Sequence, residues 1–113
     1  MATSKEFINF ILDQLSGLTD ITHRMMMGEY IIYYEGKIAA YVCDDRLLVK
    51  PVPAAISLLP DASYEPPYPG AKEMILVEDI ENRELLTTLF DAMLPELPVP
   101  KPKKKKKAPK KNQ

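Results

Sequence analysis

The sequence predicts an α+β domain in two layers, in which flanking helices cover an antiparallel sheet of about five strands. Amphipathic helical patterns lie near both ends of the domain, and β-rich runs separated by short turn sequences lie between them. Apolar residues make up 46% of the 113 residues, which is enough for one core of ordinary size. We therefore expect a single domain over residues 1–97 with the element order α-β-β-β-β-α-β-α.

The first helix is predicted over residues 4–16. Thr3 and Glu6 have the spacing of a capping box, and Gly17 offers a left-handed stop. Between them, apolar residues recur at helical spacing on one side: Phe7, Ile8, Ile11, Leu12 and Leu15.

Four strands joined by short connections follow the first helix. Glu35-Gly36 and Asp44-Asp45 are two-residue turn sequences, so we interpret Gly36, Asp44 and Asp45 as structural turn residues. The pattern is that of an antiparallel meander. The predicted strands are Ile21–Met26, Tyr30–Tyr34, Ile38–Cys43 and Leu47–Lys50.

Two helices and one strand complete the predicted domain. Pro53 suits the first position of a short helix, and Asp79 or Asn82 can cap the last one. Residues 60–70 contain four prolines and predict an extended loop. The remaining elements are a helix over 54–59, a strand over 74–78 and a helix that ends before Pro95.

The charges divide the chain into an acidic body and a basic end. Residues 1–100 contain seven basic and 16 acidic residues, a formal charge of −9. Segment 98–113 is rich in proline and lysine, and we expect it to be a disordered tail. Such a tail predicts weak, sequence-independent attachment to nucleic acid, or alternatively a solubilising or self-neutralising role. Its lysines are Lys101, Lys103, Lys104, Lys105, Lys106, Lys107, Lys110 and Lys111.

Apolar residues occur on both alternating faces of the central strands. Tyr30–Tyr34 and Ile38–Val42 lack the polar residue at every second position that a solvated face requires. Either a protein partner or a second copy covers the second face, or tyrosine side chains leave it half solvated.

The composition excludes several kinds of chemistry. One cysteine, Cys43, and one histidine, His23, allow neither an internal disulfide nor a site with two imidazoles. The widely spaced glycines form no phosphate-binding loop, and we expect no metal, cofactor or small-molecule substrate. We interpret Asp44 and Asp45 as turn residues paired with Arg46 or Lys50. No stretch is long and apolar enough for a membrane span, so we expect a cytoplasmic protein that does not bind membranes.

Three short segments resemble the N-terminal domain of the TfoX/Sxy family. They are Arg24–Tyr30, Tyr33–Lys37 and Asp44–Lys50, and the resemblance extends over about residues 4–95. It implies a small α+β domain similar to the secretion-chaperone-like fold and a link to the regulation of natural competence. Met27 replaces the usual phenylalanine of the pattern, and Glu29 and Ile31 replace usual glycines. A lysine tail stands where full competence regulators carry a second domain, so we expect a stand-alone version of the N-terminal domain.

These observations predict a small, non-enzymatic regulatory or protein-interaction module that contacts a protein partner or a second copy of itself. The alternative is a nucleic-acid-associated protein that attaches through its tail. A third hypothesis, a small hydrolase or transferase, depends only on the Tyr64–Tyr68 loop. The candidate contact residues are Arg24, Met27, Gly28, Tyr30, Tyr34 and Tyr41.

Overall fold

A computed structural model of the chain describes residues 3–99 as one six-stranded antiparallel sheet with three α-helices. The predicted α+β class is confirmed, and all five predicted strands form. A sixth, two-residue strand arises within the proline-rich segment that we predicted as loop. The elements are α1 (Lys5–Gln14), β1 (Ile21–Met26), β2 (Glu29–Tyr34), β3 (Lys37–Cys43), β4 (Arg46–Val49), α2 (Pro53–Leu58), β5 (Tyr64–Glu65), β6 (Met74–Val77) and α3 (Arg83–Met93), and a 3₁₀ turn follows at Leu94–Glu96.

The strands lie in the order β1-β2-β3-β4-β6-β5, so β1 and β5 form the two edges of the sheet. The first four strands are a meander, as the turn sequences predict. β6 then pairs with β4 after the chain has passed through α2 and β5.

Left-handed backbone conformations close all three hairpins of the meander. Both residues of each two-residue turn have positive φ: 54° and 86° at Met27-Gly28, 51° and 79° at Glu35-Gly36, and 53° and 55° at Asp44-Asp45. Turns of this kind match the right-handed twist of the strands they join. Glu29 and Ile31, which replace usual glycines of the family pattern, lie in regular strand.

The three helices pack on one face of the sheet, which we call the helix face. Strand residues such as Ile32, Val42, Val49 and Ile75 belong to the same buried cluster as the apolar side chains of the helices. Those helical side chains are Ile8, Ile11, Ala55, Leu86, Leu89, Phe90 and Met93. The amphipathic patterns of α1 and α3 therefore direct their apolar sides onto the helix face.

The cap of α1 differs from the prediction. Ser4, and not Thr3, is the N-cap, because the Ser4 side chain accepts a hydrogen bond from the Phe7 N–H. Thr3 is 7% exposed and contacts the sheet. At α3 the cap is Asn82, whose Oδ1 accepts from the Leu85 N–H.

Between residues 3 and 99, no helix combines the length and apolar character that a membrane crossing requires. The predicted basic tail lies outside the described residues from position 100 onward.

Candidate protein-interaction surface

The sheet face opposite the helices, which we call the loop face, is only partly covered. One row of cross-strand partners runs over it from β1 to β6: Arg24, Ile31, Tyr41, Leu48 and Leu76. Leu48, Cys43 and Met74 are buried, whereas the β1 side chains are exposed. Along the row, Leu76 and Tyr41 are half-buried and Ile31 on β2 is still buried, so coverage of this face is lost only at β1 and the hairpin tip.

Arg46 at the start of β4 holds the proline-rich loop on the loop face. Its Nη1 lies 2.7 Å from the Glu65 carboxylate, and its guanidinium also donates to the carbonyls of Pro66 and Pro67. Nε donates to the Cys43 carbonyl at 3.2 Å, which fixes the arginine against its own hairpin. The predicted pairing of Arg46 with the aspartates of its turn is therefore wrong. The five donors of a guanidinium suit this arrangement of one carboxylate and several carbonyls.

An apolar groove of about 450 Å³ lies between the loop and the tip of the β1–β2 hairpin. Ile31, Tyr41 and Cys43 form its floor, and Met26, Met27 and Tyr68 stand at its sides. The rings of Tyr41 and Tyr68 lie 6.4 Å apart between centroids at a tilted angle, which is a favourable aromatic geometry. We call this feature the methionine groove.

Three consecutive methionines are exposed at the hairpin tip. The exposed fraction is 64% for Met25, 44% for Met26 and 95% for Met27. Methionine side chains are flexible and polarizable, and they adapt to irregular apolar surfaces. Met26 and Met27 border the groove, whereas Met25 points to the other face of the strand. Exposed apolar residues beside an apolar groove are typical of protein-contact sites.

A network of hydrogen bonds fixes this hairpin to the turn between β3 and β4. The Thr3 hydroxyl donates to the Glu29 carboxylate at 2.7 Å, and the same carboxylate oxygen accepts from the Asp44 N–H. Asp45 Oδ1 accepts from the Ser4 N–H, and the Gly28 carbonyl accepts from the Thr3 N–H. The family-like Gly28 and Asp44-Asp45 segments thus join the start of α1 to two hairpins.

Two ionisable groups in the groove, Cys43 and Tyr41, are held in their neutral forms. Burial, reinforced by the nearby Glu29 charge, raises the pKa of the Cys43 thiol to about 11. Burial also raises the pKa of Tyr41. In the described part of the chain, no group of three His, Cys, Asp or Glu side chains is placed to bind a metal ion. The groove is thus suited to apolar contact.

The structure brings some of the predicted contact residues together and separates others. Met27 and Tyr41 line the methionine groove, and Gly28 lies in the adjoining turn. Tyr30 borders the groove in the strand, but its side chain lies on the helix face, where it packs against the core with its ring tilted against His23. Arg24 is exposed on β1 and forms no ion pair within residues 3–99.

Tyr34 belongs to the core and not to the contact surface. It is buried on the helix face, and its hydroxyl donates to Asp91 at 2.7 Å. That hydrogen bond, together with burial, raises the pKa of Tyr34 to about 12.

Sequence reasoning did not name five of the residues that line the groove as contact residues: Met26, Glu29, Ile31, Cys43 and Tyr68. Tyr68 carried a usable signal, because an aromatic residue between Pro67 and Pro69 has few backbone conformations available and makes an effective anchor. The candidate nucleic-acid contacts, from Lys101 to Lys111, lie outside the described residues.

The chain is similar in sequence to a known protein family and to a bacterial relative. The family model described as the TfoX N-terminal domain matches residues 13–85. A relative from Spirochaeta aurantia, described as an uncharacterized 12.7 kDa protein in the trpE 5′ region, is 33% identical over 107 residues. That alignment covers 94% of this chain and 93% of the relative. No solved structure matches the chain significantly.

Proposed function

This chain belongs to the TfoX N-terminal domain family, and from that premise we propose that it is a regulatory protein-interaction module that binds a partner protein in the methionine groove. The observation that carries the proposal is the groove itself. It combines an apolar floor, flexible methionines and an aromatic side wall on a part of the sheet that the helices leave uncovered.

The charge around the groove indicates the chemistry of the partner. Glu29 lines the methionine groove, and a neighbouring polar groove under the proline-rich loop contains Asp44 together with the Arg46–Glu65 ion pair, so the two grooves have a net negative charge. The body as a whole has a formal charge of −9. Complementary potentials favour the encounter of partners and discourage wrong ones. We therefore propose that the partner segment inserts an apolar side chain between Tyr68 and Met27 and carries lysine or arginine beside it.

A non-enzymatic role is part of the proposal. A catalytic nucleophile requires a lowered pKa or a nearby base, and the pKa values of Cys43 and Tyr41 are raised instead. The Glu29 carboxylate accepts hydrogen bonds from Thr3 and Asp44, which gives it a structural task.

The regulated process that the family resemblance suggests is natural competence, through control of transcription in the cytoplasm. In this proposal the domain acts by contact with another protein and not by reading DNA, since an acidic body repels phosphate. Attachment to nucleic acid through the lysine-rich end is the competing hypothesis.

A display experiment tests the proposed partner chemistry. Random peptides displayed on phage are selected on the immobilised full chain. We expect enrichment of an aromatic or large aliphatic residue flanked by lysine or arginine. Enrichment of acidic peptides, or no enrichment over blank matrix, would contradict the proposal.

Two matched variants locate the binding site of the selected peptides. Met27→Asp places a carboxylate beside the groove at a nearly fully exposed residue, whereas Ile56→Asp places one on exposed α2. We expect Met27→Asp to weaken binding by a factor of about 10 or more and Ile56→Asp to leave it nearly unchanged. Equal losses in both variants would assign binding to another surface.

Nucleic acid retention provides the competing readout. The full chain and a version that ends at Leu97 are compared on immobilised duplex DNA over a salt series. Loss of retention on truncation, together with absence of peptide selection, would favour the tail hypothesis over the groove.

A further inference from the structure

Within residues 3–99, β1 is an edge of the sheet with no strand paired on its outer side. It is six residues long, contains no proline, and all its side chains except Ile21 are exposed. Edge strands of this kind expose a row of backbone N–H and C=O groups, which natural proteins often block with prolines, bulges or charges. β1 carries one charge, on Arg24, whose backbone groups face β2. The edge is therefore a ready template for one more strand.

The hydrogen-bond pattern identifies the backbone groups that face outward. The Asp20 carbonyl accepts from the Glu35 N–H at 3.0 Å, and the two residues continue the β1–β2 register in which Ile21 lies opposite Tyr34. In an antiparallel pair, residues alternate between bonding the partner and facing away. Thr22, Arg24 and Met26 therefore bond β2, and the backbone groups of Ile21, His23 and Met25 face outward.

These three outward residues are symmetric about His23, and we infer that β1 pairs with β1 of a second copy of this chain, antiparallel, with His23 on the two-fold axis. Ile21 of each copy then lies opposite Met25 of the other, and His23 lies opposite its own counterpart. The three pairs form six backbone hydrogen bonds and join the two sheets into one of twelve strands.

Other symmetric registers form fewer backbone hydrogen bonds along the β1 edge. A two-fold axis at Ile21 or at Met25 leaves only one pair in which both residues belong to β1 and face outward. An axis at Thr22 or at Arg24 makes that residue a non-hydrogen-bonded pair with its own counterpart and leaves two outward pairs, so it forms four backbone hydrogen bonds instead of six. The His23 register also places Arg24 opposite Thr22 of the second copy, so the two guanidiniums do not lie directly opposite each other.

A second copy fits this edge better than an arbitrary extended peptide. Its β1 supplies the same spacing of outward groups and brings apolar Ile21 to apolar Met25 on both sides of the axis. The contact is small compared with a standard protein interface, so we expect a dimer that dissociates on dilution. The inference is separate from the methionine groove and can fail without it.

Amide hydrogen exchange measured by NMR on the full chain tests the register directly. At low concentration, the amides of Thr22, Arg24 and Met26 should exchange slowly and those of Ile21, His23 and Met25 rapidly. Between about 10 µM and 1 mM, the second set should become protected by a factor of about 10 or more as dimer forms. Rapid exchange of these amides at every concentration would overturn the inference.

Sedimentation of variants identifies the interface. His23→Pro removes an outward N–H, and His23→Lys places two ammonium groups at the axis without altering the backbone. Both should sediment as monomers where the wild type is a dimer. His23→Ala and Tyr64→Pro, the latter on the opposite edge, should dimerise as the wild type does. A dimer that persists in both His23→Pro and His23→Lys, or a wild type that stays monomeric at 1 mM, would contradict the inference.

Discussion

The two ends of the same sheet are protected to very different degrees. At the β4–β6–β5 end, helices cover one face and the proline-rich loop covers the other, so Leu48 and Val49, which point to opposite faces, are both fully buried. At the β1–β2 end, the hairpin tip extends into solvent with three exposed methionines. One end is thus packed on both faces, whereas the other leaves exposed the apolar surface at which we propose that partners bind.

The two edges repeat this contrast. β5 is two residues long and is followed at once by Pro66 and Pro67, which cannot donate to another strand. β1 is six residues long and has no such protection. Both edges carry the same risk of unwanted pairing with another strand. Prolines block β5 and not β1, and this difference is a specific feature of the chain.

The largest expected effect is a loss of stability at the protected β4–β6–β5 end of the sheet. Leu48→Ala empties a fully buried site on the loop face and should cost about 3 kcal/mol in free energy of unfolding. Met26→Ala removes a similar apolar side chain from the exposed end of the same face and should cost less than about 0.5 kcal/mol. Urea denaturation of both variants provides the measurement. Equal costs would show that the loop face is covered uniformly.

The second effect concerns the attachment of the proline-rich loop. Arg46→Ala removes the ion pair with Glu65 and the bonds to two loop carbonyls, so we expect a loss of about 2 kcal/mol. Arg83→Ala breaks the exposed ion pair with Asp13 and is the matched control, with a loss below about 0.5 kcal/mol. Amide exchange should accelerate in residues 64–70 of the Arg46 variant alone. Unchanged exchange there would mean that packing holds the loop without Arg46.

The third effect concerns the link between the exposed hairpin and the helices. Tyr34→Phe removes the hydrogen bond to Asp91 on α3 and should cost about 1 kcal/mol at neutral pH. The folded pKa of Tyr34, about 12, exceeds the ordinary value of 10, so its stabilising contribution is complete below pH 10. That contribution is lost as the pH rises from 10 through 12. Wild-type stability should therefore decrease more steeply over this range than that of Tyr34→Phe, and parallel curves would contradict the assignment.

The smallest expected effect concerns Met27 at the exposed hairpin tip. Met27 has φ of 54°, a left-handed conformation that is sterically strained for methionine and unstrained for glycine. Met27→Gly should stabilise the fold by about 0.5 kcal/mol and at the same time weaken peptide binding in the groove. Gly36→Ala, at φ of 79°, is the converse control and should destabilise the fold. Thermal unfolding and binding should thus change in opposite senses for Met27→Gly. A gain in both would remove Met27 from the contact site.

Residues whose partners are close in the chain were predictable. The two-residue turns at Glu35-Gly36 and Asp44-Asp45, the apolar stripe of α3 and the strand at Met74 all follow from local pattern. Thr3 was misassigned as the cap of α1, because its spacing to Glu6 alone fits a capping box. Its partner in the structure is Glu29, which lies 26 positions away. Arg46 was misassigned for the same reason, since the turn aspartates are near in sequence and Glu65 is not.

The amino-acid sequence by itself determined the class of the fold, the meander and the division into an acidic body and a basic end, because periodicity, turn propensity and charge are local properties of the chain. Only the tertiary structure decided which apolar residues remain uncovered. The loop that buries Leu48 and the helix that buries Tyr34 come from distant parts of the chain. The methionine groove and the open β1 edge are the surfaces that those distant segments leave uncovered. Local sequence patterns do not specify their position, because it depends on where the distant segments pack.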